Sequence, residues 1–414
     1  MKHLIWIFIL ALALGACASE VTQMPTEVST SAPTKTSTSI PTATLTTVPP
    51  TSTITKTPPL PTATEYPTEA VDQLANYPTD GYGPVDFPEN VNPLTGLQVE
   101  NPTILDRRPV AVKISNYPRE IRPQWGLSKA DHVFEYYHEG GLTRFHAIFY
   151  GTDVEEVGPI RSARFLDEHL IRAYKSVFAF GSADYRVRWR LYNAEFSNRL
   201  ASVSDKPCPP DTTYPTCRID PNQWNHLMTN TSVLSQHFTD QSVSNGRQYL
   251  DGLRFTKQPP DSVEDGRNLK VRYSSDDYHK WEYDPDSGRY YRFHDAATDI
   301  GEGETFELLV DRYNNQPISA DNIVVIFANY SFFSRQPEMM EVDLSGSGRA
   351  YVFRDGQAYD VKWARINDNE IISLIYEDGS RFPLKPGSTW FDIVGSTSEI
   401  QAENTDWNVQ FKTP

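Results

Sequence analysis

Cysteine is scarce: the 414 residues hold three, at positions 17, 208 and 217. With so few thiolates, and no histidine near the last two at ligand spacing, a zinc-type centre is not expected. Positive charge is short as well, since 38 Lys and Arg face 54 Asp and Glu, for a formal net charge of -16. A chain this acidic has no electrostatic attraction for nucleic acid or for an anionic lipid surface. Catalytic signatures are also missing. Ser162 lacks the Gly-x-Ser-x-Gly elbow of a hydrolase nucleophile, and His132, Glu135, His138 and Glu139 fit neither His-Glu-x-x-His nor its inversion. Neither a metal nor a cofactor is expected.

Long apolar runs are absent too. The segment Leu4 to Leu14 is shorter than the roughly 20 residues that span a bilayer. It follows Lys2 and His3 and leads into Leu14-Gly15-Ala16-Cys17, and a basic start, a short apolar core and small residues before a cysteine form a lipoprotein export signal. Residues 1–16 are therefore expected to be removed and Cys17 to carry acyl chains, leaving the protein outside the cytoplasm and held to the membrane by lipid. Residues 17–89 form a tether, mostly Thr, Pro and Ser as far as Tyr66. Such a segment buries too little apolar surface to offset its chain entropy, and its prolines stiffen it toward polyproline II.

What is present lies mainly beyond Asn90, where most of the 22 Tyr, 20 Phe and 8 Trp fall. A chain of this length is expected to form two domains, 90–253 and 254–398, with 399–414 as a tail. Cys208 and Cys217 bracket a Pro-rich stretch, and a short loop closed in an oxidising compartment reads as a disulfide.

Four strings in order carry a family resemblance: Arg108-Pro109-Val110-Ala111-Val112, Arg122-Pro123-Gln124-Trp125-Gly126-Leu127-Ser128-Lys129-Ala130-Asp131, Glu139-Gly140-Gly141-Leu142-Thr143-Arg144-Phe145 and Gly158-Pro159-Ile160-Arg161-Ser162-Ala163-Arg164. Together they resemble the YerB-like family of bacterial lipoproteins. The resemblance implies an α/β (α+β) amino-terminal domain with a mixed sheet and packed helices, then a mainly antiparallel β carboxy-terminal domain. It implies no particular chemistry.

Read physically, the most suggestive stretch is Gly158 to Val177. Leu166, Leu170, Ala173 or Tyr174, and Val177 recur at helical spacing, so a helix is expected from near Ala163 with Ser162 as its N-cap. Free N–H groups at that start, with Arg161 and Arg164, suit a phosphate or carboxylate. Internal acids such as Glu135, Glu139 or Asp184 could answer the arginines instead. The paired glycines after Glu139 make a hairpin, whose second strand puts Arg144 and His146 on one face. Val177 to Asp184 reads as a buried strand with Ser182 and Asp184 at its polar end. Trp189, Tyr192 and Trp224, expected in later loops, either wall this place or belong to the core. The candidate ligand site is therefore Arg161, Ser162, Arg164, Arg144, Glu139 and Asp184.

From Arg254 onward the pattern is antiparallel, with turns at Pro285-Asp286-Ser287-Gly288, Arg354-Asp355-Gly356-Gln357 and Glu377-Asp378-Gly379-Ser380. Its Trp and Tyr read as core and cross-strand packing. The function expected is a non-catalytic ligand-binding or scaffolding lipoprotein, its partner an anionic envelope ligand or an envelope protein. The alternative is an enzyme on envelope polymers, either a hydrolase or a phosphotransferase. Ile160-Arg161-Ser162-Ala163-Arg164 before a helix resembles LytR-type phosphotransferases, though no metal-carboxylate cluster accompanies it.

Overall fold

The computed structural model describes residues 74–414 except 202, 221, 224 and 263. The signal, Cys17, most of the tether and Trp224 lie outside the described residues. In chain order the elements are β1 (Val110–Ser115), β2 (His132–Glu139), β3 (Leu142–Phe149), α1 (Phe165–Tyr174), β4 (Val177–Ala179), α2 (Tyr185–Asn193), β5 (Leu200–Ala201) and α3 (Thr231–Asp240). Then follow β6 (Asn268–Arg272), β7 (Tyr278–Asp284), β8 (Arg289–Asp295), β9 (Phe306–Leu308), β10 (Asn322–Arg335), β11 (Glu338–Asp343), β12 (Gly346–Arg354), β13 (Gln357–Arg365), β14 (Ser373–Ile375), β15 (Thr389–Gly395), β16 (Glu399–Glu403) and β17 (Asp406–Gln410). Helices intersperse the first half and strands fill the second, which is the fold class that the sequence implies.

The division between the halves is less simple. One mixed sheet of twelve strands has ten in the order β14-β13-β12-β10-β15-β2-β3-β1-β4-β5, with β11 paired to β10 and the short strand Glu264–Asp265 paired to β13 off this path, so strands of both halves share it. At its centre β15 lies parallel to β10 on one side and to β2 on the other. Strands from both sides of the boundary expected at 253/254 share this sheet, and the described residues 74–414 fall in one compact unit. The apolar run Ile323-Val324-Val325-Ile326-Phe327 is what such a strand needs when both its faces are covered.

A second sheet of seven strands has six in the order β9-β8-β7-β6-β17-β16, and the short strand Ser319–Ala320 pairs with β8 off this path. Residues 399–414 are therefore not a tail: β16 and β17 form a hairpin, β17 lies parallel to β6, and Trp407 and Val409 are buried. The expected disulfide joins Cys208 to Cys217.

Alternation along β2 sets out the layers. Phe134 and Tyr136 face the helix α1, while Glu135 faces the second sheet, so the large sheet is sandwiched between helices and strands. Phe134 stacks on Phe391 of β15 with ring centroids 4.4 Å apart. Burial of each such side chain contributes about 1.5–3 kcal/mol.

Candidate functional site

The β2–β3 hairpin brings the candidate residues to the start of α1. Its turn needs Gly140 at φ +62° and Gly141 at φ +81°, a region that side chains other than glycine rarely occupy. Glu139 leaves one side of the turn and Arg144 returns on the other. Arg164 forms an ion pair with Glu139. Arg144 Nη1 donates to the Ser162 carbonyl at 2.8 Å. Arg161 Nε donates to Ser115 Oγ at 3.1 Å, and its Nη2 donates to Asn225. Thus one of the three guanidinium groups, that of Arg164, has a carboxylate partner among the described residues.

Electrostatics follow from that crowding. Burial first, and then the neighbouring Arg164 charge, bring the Arg144 guanidinium down to about 9. Burial pushes the Glu139 carboxyl up, but the His138 hydrogen bond and the Arg164 charge prevail and hold it at about 2. The site therefore carries excess positive charge at neutral pH.

Three expectations need correction here. The helix begins at Phe165 with Arg164, not Ser162, as its N-cap: the Arg164 N–H donates to Asp167 Oδ2 at 2.7 Å, so the acid of the first turn reaches back to the cap backbone. Ser162 instead serves through its carbonyl. Trp189 and Tyr192 stand in the helix α2, not in loops, and both are exposed. Asp184 is the N-cap of α2, accepting from Arg186 N at 2.9 Å and pairing with the Arg186 guanidinium at 2.8 Å, so it does not answer Arg161. The starts of the two helices are stitched together by Ala163 N to Ser182 O and Gly181 N to Arg161 O, each 2.8 Å.

Directly beneath lies a sealed polar network. Asp167 Oδ1 accepts from Tyr136 Oη at 2.8 Å, lies 3.2 Å from Lys113 Nζ and 2.9 Å from His146 Nδ1. All four residues are buried. Burial drives the Lys113 ammonium down to about 7 against the restoring charge of Asp167. His146, expected on one face of the strand with Arg144, is thus part of the interior.

Sequence reasoning missed a second buried network, on the opposite face of the large sheet. Glu135 and Asp392 are register partners across β2 and β15. Arg292 Nη2 of β8 pairs with Glu135 Oε2 at 2.8 Å, and Thr143 Oγ1 donates to Glu135 Oε1 at 2.9 Å. His279 of β7 stands between the two acids, Nδ1 lying 3.7 Å from Glu135 and Nε2 lying 3.1 Å from Asp392. One atom each of Glu135, His279 and Asp392 lies within 4.8 Å of the others. The ring nitrogens face different carboxylates, Glu135 already holds a guanidinium, and His279 makes a hydrogen bond to neither acid. The available signal was an acid inside an otherwise apolar strand, in Val133-Phe134-Glu135-Tyr136 and again in Trp390-Phe391-Asp392-Ile393-Val394.

Comparison with known proteins places this geometry in a family. Two profiles match in order: "Protein of unknown function (DUF3048) N-terminal domain" over residues 94–243 and "Protein of unknown function (DUF3048) C-terminal domain" over residues 269–391. A curated relative, "Putative lipoprotein YerB" of Bacillus subtilis (strain 168), is 28% identical over 318 residues, covering 73% of this chain and 85% of the relative. A crystal structure of the YerB protein from Bacillus subtilis superposes with a TM-score of 0.59 at 26% identity, covering 73% of this chain and 96% of that one. All six candidate ligand residues fall within the first profile.

Proposed function

We infer that this chain, which belongs to the DUF3048 family, is a lipid-anchored protein of the cell envelope whose folded body binds an anionic ligand without catalysing its turnover. The observation that carries the binding is the Arg144, Arg161 and Arg164 cluster, in which one carboxylate among the described residues answers three guanidinium groups. Guanidinium forks are the side chains best matched to phosphate and carboxylate, and partial burial strengthens each such contact. Address and charge agree: a lipoprotein relative supports the membrane anchor at Cys17, and the arginine cluster stands out on a chain of net charge -16. The lack of turnover is supported by the sealing of Lys113, Tyr136, Asp167 and His146, the groups beneath the cluster that could move a proton.

The test is titration calorimetry with inorganic pyrophosphate at low and high salt, using the full chain and an Arg144→Gln/Arg161→Gln variant. Binding should weaken by about tenfold or more in the variant and fall with added salt. Its melting temperature should stay close to the parent value, since neither arginine closes an ion pair among the described residues. Equal binding by parent and variant would remove the basis for this function.

A further inference from the structure

The helix α2 reads Tyr185-Arg186-Val187-Arg188-Trp189-Arg190-Leu191-Tyr192-Asn193 and buries only Val187 and Leu191. Tyr185, Trp189 and Tyr192 stay 67%, 68% and 48% exposed. At spacings of four and three residues they form one stripe down the outer face of the helix. By the rise of an α-helix their positions step about 6 Å and then about 4.5 Å along the axis. Single exposed aromatics are ordinary on protein surfaces, but three on one face of a two-and-a-half-turn helix are not.

The surroundings of the stripe suggest its occupant. It is built of Tyr and Trp, flat rings with polar edges that suit a partner apolar on its face and wet at its rim, and it contains no aliphatic side chain to insert into lipid. Arg188 is exposed on the same side and closes no ion pair among the described residues, whereas Arg186 is held by Asp184 and Arg190 by Glu341. At its N-terminal end the helix is stitched to the arginine cluster through Ser182 to Ala163 and Gly181 to Arg161. The first turn of α2 therefore lies beside the segment that carries Arg161 and Arg164. Flat apolar C–H faces beside regularly placed anionic groups are the chemistry of an anionic polysaccharide.

We propose that the exposed face of α2 stacks the sugar rings of an anionic glycan whose phosphate or carboxylate groups are taken by Arg144 and Arg161. This rests on the arginine cluster being an anion site, and adds the class of polymer that brings the anion. It makes α2 an extension of that site, with each ring contributing contact area rather than charge.

The experiment uses the full chain, a Tyr185→Ala/Trp189→Ala variant and the Arg144→Gln/Arg161→Gln variant. The probes are a panel of uronate- and phosphate-bearing polysaccharides, inorganic pyrophosphate, a neutral dextran, and vesicles of phosphatidylglycerol. The parent should bind at least one anionic polysaccharide and bind dextran far more weakly. The aromatic variant should lose about tenfold on that polysaccharide while pyrophosphate binding stays within about twofold. The arginine variant should lose both. Polysaccharide binding unchanged in the aromatic variant, or parent binding confined to vesicles, overturns the proposal while leaving the anion site standing. Failure of pyrophosphate binding with polysaccharide binding still lost in the aromatic variant strikes the anion-site reading instead and supports the role of the stripe.

Discussion

A carboxylate in the middle of a protein must be paired, solvated or kept neutral, and Asp392 takes the third course. Burial pushes its pKa from 3.8 up to about 7, so it holds a proton that the unfolded chain sheds. The sign follows from linkage: the group's stabilising contribution is complete below pH 3.8 and is lost as pH rises toward about 7. Its neighbour His279 works the other way. Burial lowers that imidazole to about 3, so its contribution is present above the ordinary histidine pKa and lost as pH falls. Because the slopes oppose, the wild-type profile alone is uninformative and the variant difference is what matters. Asp392→Asn keeps the shape and removes the titration. Relative to the parent, its unfolding free energy in urea should rise by about 2–4 kcal/mol between pH 4 and pH 7. Parallel profiles would mean that Asp392 is ionised in the fold.

At the scale of the element, α1 shows how far a sequence pattern reaches. Leu166, Leu170, Ala173 and Tyr174 are buried at helical spacing, so the helix and its inner face were legible. Its first residue was not, because the cap is set by Asp167 reaching back to Arg164 while the same carboxylate gathers Lys113, Tyr136 and His146 from three strands. No local rule contains those strands. The helix α2 was hidden for a different reason: Arg186, Arg188 and Arg190 alternate with Tyr185, Val187, Trp189 and Leu191, a period of two that masks the helical stripe. The candidate arginines were found by residue type, yet which of them lacks an acid depended on Glu139 arriving across the hairpin. Asp167→Ala should be severe, since it removes the cap and leaves Lys113 and His146 buried without their acid. A loss of about 3–5 kcal/mol in urea unfolding is expected, against distinctly less for Asp167→Asn, which keeps the cap acceptor. A loss below about 1 kcal/mol would show that the network does not hold α1 to the sheet.

For the whole molecule, the turn-and-strand pattern indicated two successive domains, and what it could not show is that the chain returns. Strand β15 comes from the far end of the sequence, yet its neighbour is β2, so the edge that β2 would present on its own is covered by residues 389–395. Buried charge crosses the same junction. Glu135 depends on Arg292, and Asp295 is met by Arg122 at 3.0 Å and by Arg119 at 2.6 Å, each pair joining residues on opposite sides of 253/254. Leaving even one such charge alone costs about 3–5 kcal/mol, against a total stability of about 5–15 kcal/mol for a typical fold. Two halves cut at that point therefore have too little left to fold on. Residues 74–253 and 254–414 expressed apart should melt without cooperativity, and residues 74–414 together should give one calorimetric transition whose van't Hoff and measured enthalpies agree. Two resolved transitions in the intact body, or a well-dispersed amide spectrum from 74–253 alone, would show that the shared sheet is an ornament on two independent domains rather than the core of one.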